Sequence, residues 1–181
     1  LVMARLEIGS PSGDFNLKGV DNRNYSLDDF REKEILVLMF TCNHCPYVQA
    51  YEARLISIQR DYISKGVVLI AINSNSEIRY PEDSFDRMVQ RAREKGYNFP
   101  YLRDADQTVA AAYKAEYTPE IFVFDKRRKL RYHGRIDNSK DETKVTSRDL
   151  RGAIDSILSG KEIIQPETHA FGCTIKWADD H

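Results

Sequence analysis

The chain has 181 residues, of which 41% are hydrophobic and 30% charged, with a net charge of −1 at pH 7. This composition is typical of a soluble globular protein, and the length suits one domain with a full hydrophobic core. The near-neutral charge gives no support for nucleic acid or an anionic membrane as a partner, and no apolar run approaches the roughly 20 residues that span a bilayer.

The sequence predicts both strands and helices along the whole chain. In chain order they are a β-hairpin (15–17 and 24–27), a strand (34–40), a helix from Pro46 to about residue 65, a strand (67–73), helices (83–95 and 104–115), a second hairpin (120–125 and 130–135) and a helix (148–159) that Ser147 caps and Gly160 ends. The runs EILVLMF and VVLIAIN are typical of strands buried on both faces, and a strand–helix–strand order implies a parallel crossover. The sequence therefore predicts one α/β domain with a mixed central sheet and helices on both faces (1–162), followed by a C-terminal extension packed on it (163–181).

The N-terminal residues and the cysteine content predict the cellular compartment of the protein. The opening stretch, LVMARLEIGSPSG, lacks the apolar segment of a secretory signal, and three cysteines are too few for a disulfide scaffold. We therefore expect a cytoplasmic protein, either a monomer or a homodimer. In a reducing compartment a cysteine pair is more often catalytic or metal-binding than structural.

A Cys-x-x-Cys pair lies in the stretch FTCNHCPYV, residues 40–48, between a predicted buried strand and a predicted helix. The N-terminus of a helix carries partial positive charge and unpaired N–H groups, which stabilise a thiolate. Such settings lower a cysteine pKa from about 8.5 to between about 3.5 and 7.5. We expect Cys42 to be the more exposed sulfur and to attack substrate disulfides, while Cys45, buried one turn deeper, resolves the mixed disulfide.

His44, between the two cysteines, is a candidate for tuning the pair. A protonated imidazole beside Cys42 would favour its thiolate and make the disulfide a stronger oxidant. The sequence therefore predicts a reduction potential above the reducing end of the dithiol range, which lies near about −270 mV. The alternative is a solvated turn residue that has no effect on the thiols.

A second element is the Thr118–Pro119 pair directly before the predicted strand EIFVFD. Proline is allowed at the first residue of a strand, and a cis X–Pro bond there would be a specific structural feature. In a redox fold it would lie beside the dithiol and leave a backbone edge free to pair with an extended substrate. The alternative is an ordinary trans proline that marks the start of the strand.

These stretches resemble the thioredoxin-fold superfamily, in its alkyl hydroperoxide reductase/thiol-specific antioxidant (redoxin) branch. The resemblance covers nearly the whole chain and is carried by GSPSGDFNLKGVDNRNYSLDDF, LVLMFTCNHCPYV and YTPEIFVFDKRRKLRYHGR, with NSNSEIRYPEDSF and GCTIKW similar to one subgroup. It implies a thioredoxin-like fold in which Cys42 is the nucleophile, Cys45 the resolving cysteine and Pro119 a cis-proline. Thr41, Thr118 and Pro119 are the implied substrate-binding residues. No metal or organic cofactor is implied.

Three positions depart from the pattern of the superfamily. Thr41 stands where thioredoxins usually have a tryptophan, so the surface that meets a partner differs. Leu36 stands where thioredoxins bury an aspartate, which leaves no obvious base for Cys45. Met39 stands where peroxidatic members of the branch keep a threonine before the reactive cysteine, which counts against efficient peroxidase chemistry.

These residues lead to three alternative functions. The first is a thiol–disulfide oxidoreductase that exchanges the Cys42–Cys45 dithiol with a disulfide-containing protein or small molecule and has a thiol electron donor as its second partner. The second is a thiol-dependent peroxidase that reduces hydroperoxides through a sulfenic acid. The third is a non-enzymatic module in which Cys42, Cys45, His169 and Cys173 hold zinc, since their spacings are tolerable for a three-cysteine, one-histidine site.

Cys173, in the C-terminal stretch THAFGCTIKW, is open to two interpretations. A free cysteine usually behaves as a small buried hydrophobic residue, and this is the simpler interpretation. The alternative is a third redox thiol folded back near the dithiol, which a sulfur within disulfide reach would favour. His133 and His169 are predicted to be ordinary surface or packing residues.

Overall fold

The computed structural model describes residues 5–178. Its strands are β1 (Asn16–Gly19), β2 (Asn24–Ser26), β3 (Ile35–Thr41), β4 (Val67–Asn73), β5 (Tyr101–Arg103), β6 (Tyr117–Thr118), β7 (Glu120–Phe124), β8 (Leu130–Gly134) and β9 (Cys173–Thr174). Its α-helices are α1 (Pro46–Tyr62), α2 (Phe85–Lys95), α3 (Thr108–Tyr113) and α4 (Asp149–Leu158). Across these residues, no helix is both long enough and apolar enough to span a membrane.

Seven of the strands form one mixed sheet in the order β2-β1-β5-β4-β3-β7-β8. The central strands β3 and β4 are parallel and are joined through α1, while β7 runs antiparallel to β3. Every residue of β3 and β4 is buried, as the continuous apolar runs predict for strands covered on both faces. The mixed sheet and the N-terminal β1–β2 hairpin are therefore confirmed.

The side chains of β3 divide between two hydrophobic clusters, because successive residues of a strand point to opposite faces. One cluster takes Val37 together with Leu55 of α1 and Leu150 of α4. The other takes Leu36 together with Tyr113 of α3. Helices therefore cover both faces of the sheet, and the carboxyl ends of β3 and β4 meet at one edge.

Strand β5 is absent from the sequence-based prediction. Its three residues follow Pro100 and are too few to show the alternation on which strand prediction depends. It pairs in parallel with β4 and antiparallel with β1. This short strand therefore connects the N-terminal hairpin to the central sheet.

Helix α3 is shorter than the predicted helix over residues 104–115. The Asp104 carboxylate accepts hydrogen bonds from the backbone N–H groups of Val109 and Ala110, so it caps the helix from outside. Gln107 has a φ of 65°, which interrupts the helical backbone before α3 begins. The alanine-rich pattern thus predicts the helix correctly, but residues 104–107, predicted as its first turn, are not helical.

The boundaries of α4 also differ slightly from the prediction. Arg148, not Ser147, is the N-cap residue. The Ser147 hydroxyl donates to the Asp149 carboxylate instead of accepting from the helix backbone. Gly160 has a φ of 69° directly after the helix, as predicted for its C-terminal end.

The C-terminal residues return to the domain. Strand β9 pairs antiparallel with β6, with Cys173 opposite Thr118. The Ile175 backbone N–H donates to the Glu116 carbonyl at 2.9 Å, and the Ile175 side chain is 3% exposed in the hydrophobic cluster on the α3 side of the sheet. The division of the chain after residue 162 stays a prediction.

Candidate active site

The Cys-x-x-Cys pair lies in the turn between β3 and α1. Cys42 directly follows β3, and Cys45 is the N-cap of α1 because Pro46 takes the first helical position. Both cysteines are only 1% exposed. The predicted asymmetry is therefore wrong: Cys42 is not the exposed member, and Cys45 lies nearer the N-terminal end of the helix.

The Thr118–Pro119 bond is cis and lies against the dithiol. Cys42 Sγ is 3.6 Å from Thr118 Oγ1, and Cys45 Sγ is 3.6 Å from the Thr118 carbonyl oxygen. The expected cis-proline beside the dithiol is confirmed. The expected free backbone edge is wrong, because β9 already pairs with β6 at this position.

Cys173 completes a cluster of three thiols. Its Sγ lies 2.7 Å from Cys45 Sγ, and none of the three cysteines is in a disulfide. Cys173 is partly exposed, whereas Cys42 and Cys45 are buried. A disulfide has an S–S length of about 2.05 Å, so the tail sulfur lies within disulfide reach of the pair.

Asp83, in the loop before α2, places a carboxylate at the site that the sequence does not predict. The residue is 0% exposed. It accepts hydrogen bonds from the Asn43 backbone N–H at 2.7 Å and from the Asn73 and Asn75 side-chain amides at 3.2 and 3.0 Å. A buried negative charge is therefore held rigidly near Cys42.

His44 faces this carboxylate. Its Nδ1 lies 2.6 Å from Asp83 Oδ2, and its ring stacks on Tyr80 with centroids 5.5 Å apart. A ring nitrogen, an Asp83 oxygen and Cys42 Sγ all lie within 4.8 Å of one another. His44 is thus close to Cys42 and is paired with the Asp83 carboxylate. Its effect on the reduction potential stays a prediction.

The two buried thiols have opposite pKa shifts. The hydrogen bond from Cys42, supported by one from Cys173, lowers the pKa of Cys45 despite its burial. Hydrogen bonding to Cys45, burial and the Asp83 carboxylate raise the pKa of Cys42. The arrangement favours a Cys45 thiolate that accepts a hydrogen bond from Cys42, whereas the sequence-based prediction places the stabilised thiolate on Cys42.

The reduced protein is expected to retain one thiolate per chain at pH 6.5, where an ordinary cysteine with a pKa near 8.5 is almost fully protonated. Because the Cys45 pKa is lowered, its titration midpoint moves to lower pH. Thiolate absorbance at 240 nm against pH measures this. Cys45→Ser removes the low-pH thiolate, while Cys42→Ala and Cys173→Ala each remove a hydrogen bond to Cys45 and raise the midpoint. An unchanged low-pH titration in Cys45→Ser would contradict the assignment.

The predicted four-residue zinc site is not assembled. In the described residues, the His, Cys, Asp and Glu side chains close enough to share one metal ion are Cys42, His44 and Asp83. His169 is exposed and lines a shallow groove beside Tyr117 instead. The zinc-module alternative is therefore wrong as stated, because the histidine does not join the cysteines.

The remaining residues singled out in the sequence differ in their contacts with the dithiol. Thr41 is 2% exposed, and its hydroxyl has no hydrogen-bond partner among residues 5–178. Thr118 contacts both cysteines, as described above. His133 is a buried packing residue, stacked on Phe122 and paired with Glu120 at 2.5 Å. The substrate-binding roles of Thr41, Thr118 and Pro119 stay predictions.

Sequence reasoning misses the polar network around Asp83. Asn73 and Asn75 belong to the stretch NSNS at the end of β4, and Tyr101 of β5 donates to Asn43 Oδ1 at 2.7 Å. The carboxyl ends of neighbouring parallel strands meet at one edge of a sheet, so polar residues after β4 must lie near the cysteines after β3. That pattern indicates the asparagines, but nothing in the sequence places Asp83 there.

The fold and site define a member of the thioredoxin-like class, and solved thioredoxin-like proteins share this architecture. The chain belongs to the AhpC/TSA family, whose model matches residues 8–133. Among curated proteins, the thiol–disulfide oxidoreductase ResA of Geobacillus thermodenitrificans is 27% identical over 126 residues, which are 68% of this chain and 67% of ResA.

Two solved structures are similar over nearly the full length. A hypothetical protein from Sinorhizobium meliloti 1021 has a TM-score of 0.92 at 35% identity, covering 98% of both chains. An uncharacterized conserved protein from Geobacillus kaustophilus has a TM-score of 0.91 at 38% identity, covering 100% of both chains. The C-terminal segment that carries Cys173 therefore belongs to an architecture found in other proteins.

Proposed function

We propose that the protein is a thiol–disulfide oxidoreductase whose dithiol is Cys42–Cys45. The observation that carries this proposal is the pair's position, directly after a buried strand and within 3.6 Å of the residue before a cis-proline. The lowered pKa of Cys45 supplies the thiolate that disulfide exchange requires. The 27% identity to ResA supports the same chemistry.

In this mechanism the nucleophile is Cys45, not Cys42 as the family resemblance implies. The Cys45 thiolate attacks one sulfur of the substrate disulfide, and the substrate's other sulfur leaves as a thiolate. Cys42 then gives up its proton and attacks Cys45 Sγ, which releases the remaining substrate thiolate. The substrate gains two electrons, and the protein is left with the Cys42–Cys45 disulfide.

The proposed partners are a disulfide-containing protein or small molecule and a thiol donor that returns the protein to the dithiol state. Thr41, Thr118 and Pro119 are the proposed contacts for the substrate. Thr118 lies 3.6 Å from both sulfurs, which supports its contact with a substrate that reaches them. A cytoplasmic location, in which thiol donors are abundant, is proposed with them.

Two assays on the reduced protein separate this function from the peroxidase alternative. Insulin reduction with dithiothreitol is expected to run at least tenfold faster with the protein than without it. Hydrogen peroxide consumption is expected to match that of Cys45→Ser, because Met39 departs from the peroxidatic pattern and both cysteines of the pair are only 1% exposed. Peroxide turnover without disulfide exchange would replace the oxidoreductase proposal with the peroxidase one.

A further inference from the structure

The C-terminal strand occupies the backbone edge beside the dithiol. Thr118, which precedes the cis-proline, pairs with Cys173, and Tyr117 pairs with Thr174. Extended peptides bind proteins by adding a strand to an open edge of this kind. The chain therefore places its own cysteine where an extended substrate would present one.

Several hydrogen bonds fix this segment after Cys173. The Ser76 N–H donates to the Lys176 carbonyl at 2.7 Å, and the Lys176 N–H donates to Asn75 Oδ1 at 2.9 Å. The Gln107 side chain donates to the Lys176 carbonyl at 3.0 Å and accepts from the Ala178 N–H at the same distance. These bonds anchor the segment that follows β9, while the pairing with β6 holds β9 itself.

Access to solvent differs among the three sulfurs. Cys42 and Cys45 are both 1% exposed, whereas Cys173 is partly exposed. Cys173 Sγ also lies 2.7 Å from Cys45 Sγ. Of the three sulfurs, Cys173 is therefore the one that a thiol in solution meets first.

We propose that Cys173 is a third redox thiol, which forms a disulfide with Cys45 in exchange for the Cys42–Cys45 disulfide. The Cys173 thiolate attacks Cys45 Sγ, the bond to Cys42 breaks, and Cys42 leaves as a thiolate that takes up the proton lost by Cys173. One disulfide is consumed and one is formed, so no further oxidant is needed. The proposal rests on the proposed function, in which a substrate disulfide first creates the Cys42–Cys45 bond.

The Cys45–Cys173 disulfide then presents its sulfur on Cys173 to solvent. A donor thiol can attack that sulfur and return the cluster to three thiols in two exchange steps. Cys173 in this way offers the thiol donor a partly exposed sulfur in place of the two buried sulfurs of the dithiol.

Peptide mapping of oxidised variants tests whether Cys45 and Cys173 form a disulfide. Cleavage after lysine and arginine leaves Cys42 and Cys45 together in residues 34–54 and Cys173 in residues 162–176. After incubation with oxidised dithiothreitol and acid quenching, Cys42→Ser is expected to link the two peptides in most molecules. Cys45→Ser is expected to reduce that linkage at least tenfold, because Cys42 is not the neighbour of Cys173.

A second variant moves the strand without removing a thiol. A Cβ on Gly172 would lie 2.1 Å from the Thr118 carbonyl oxygen, so Gly172→Ala must push β9 away from β6. In the Cys42→Ser background it is expected to slow formation of the linked peptides at least tenfold. Gly152→Ala is the matched control, because a Cβ there meets no atom within 4 Å.

Circular dichroism and the urea midpoint verify that each variant is folded. Absence of linked peptides in folded Cys42→Ser would overturn the role of Cys173, whatever the activity of the wild type. An equal linking rate in Gly172→Ala and Gly152→Ala would overturn the role of the strand in placing it. A wild type that forms no disulfide while Cys42→Ser links its peptides would support the Cys45–Cys173 contact and overturn the proposed function instead.

Discussion

Cys45→Ser is expected to abolish disulfide exchange, lowering its rate by roughly 10³-fold or more, as loss of a nucleophile does in other enzymes. The reason is that Cys45 is the proposed nucleophile and contacts both of the other sulfurs. It has the lowered pKa, it hydrogen-bonds to Cys42, and its sulfur lies 2.7 Å from that of Cys173. Insulin reduction and the reduction of a small disulfide measure the loss with a protein and a non-protein substrate.

The matched variant for this experiment is Cys42→Ser. It is expected to react with substrate and to end with the Cys45–Cys173 disulfide, because the Cys45 nucleophile and Cys173 both remain. In Cys42→Ser with Cys173→Ser, neither partner is left to resolve the intermediate, so a mixed disulfide with substrate should accumulate and appear as added mass. If Cys45→Ser accumulates that adduct and Cys42→Ser with Cys173→Ser does not, the nucleophile is Cys42 and the assignment from the pKa shifts fails.

Asp83→Ala is expected to lower the free energy of unfolding by about 3 kcal/mol, because each buried polar group left without a partner costs about 1–3 kcal/mol. The carboxylate is the acceptor for the Asn43 backbone N–H and for the amide of Asn75, and both residues are buried. Water cannot reach this position without opening the loop between β4 and α2. Urea unfolding of the reduced protein measures the change.

Glu77→Ala is the control for this loss. Glu77 is an exposed acid in the same loop, and surface substitutions of this kind usually change stability by less than about 0.5 kcal/mol. Asp83→Asn separates charge from packing, because it keeps the size of the side chain while removing the negative charge that raises the Cys42 pKa. Asp83→Asn is therefore expected to raise the reduction potential of the Cys42–Cys45 disulfide. Equal stability of Asp83→Ala and Glu77→Ala would show that the buried network contributes nothing.

Patterns of short range predict most of the fold. The continuous runs of β3 and β4, the proline that opens α1 and the glycine that ends α4 all act within a few residues, so the sequence displays them directly. Strand β5 escapes prediction because it is stabilised by its neighbours β4 and β1 rather than by its own three residues. Asp104 shortens α3 through contacts that the alanine pattern does not show.

The site is predictable in its residue types but not in its electrostatics. Cys42, Cys45 and Pro119 are brought together as the family pattern implies. The location of the thiolate depends on Asp83 and Cys173, which are 41 and 131 positions beyond Cys42 in the chain. Sequence separations of this size leave no local pattern in the chain. Only the folded structure shows that the Asp83 carboxylate lies near Cys42 and that the Cys173 thiol lies near Cys45.

The pairing of Cys45 with Cys173 has a consequence for stability. The two residues are 128 positions apart, so a disulfide between them would close a loop through most of the chain, whereas the Cys42–Cys45 disulfide closes only a tight turn. In the chain-entropy model a loop of 100 residues stabilises the folded state by about 4.7 kcal/mol. The free energy of unfolding of the oxidised protein would then depend on whether its disulfide is Cys42–Cys45 or Cys45–Cys173. By the same linkage, the folded state would favour the Cys45–Cys173 disulfide.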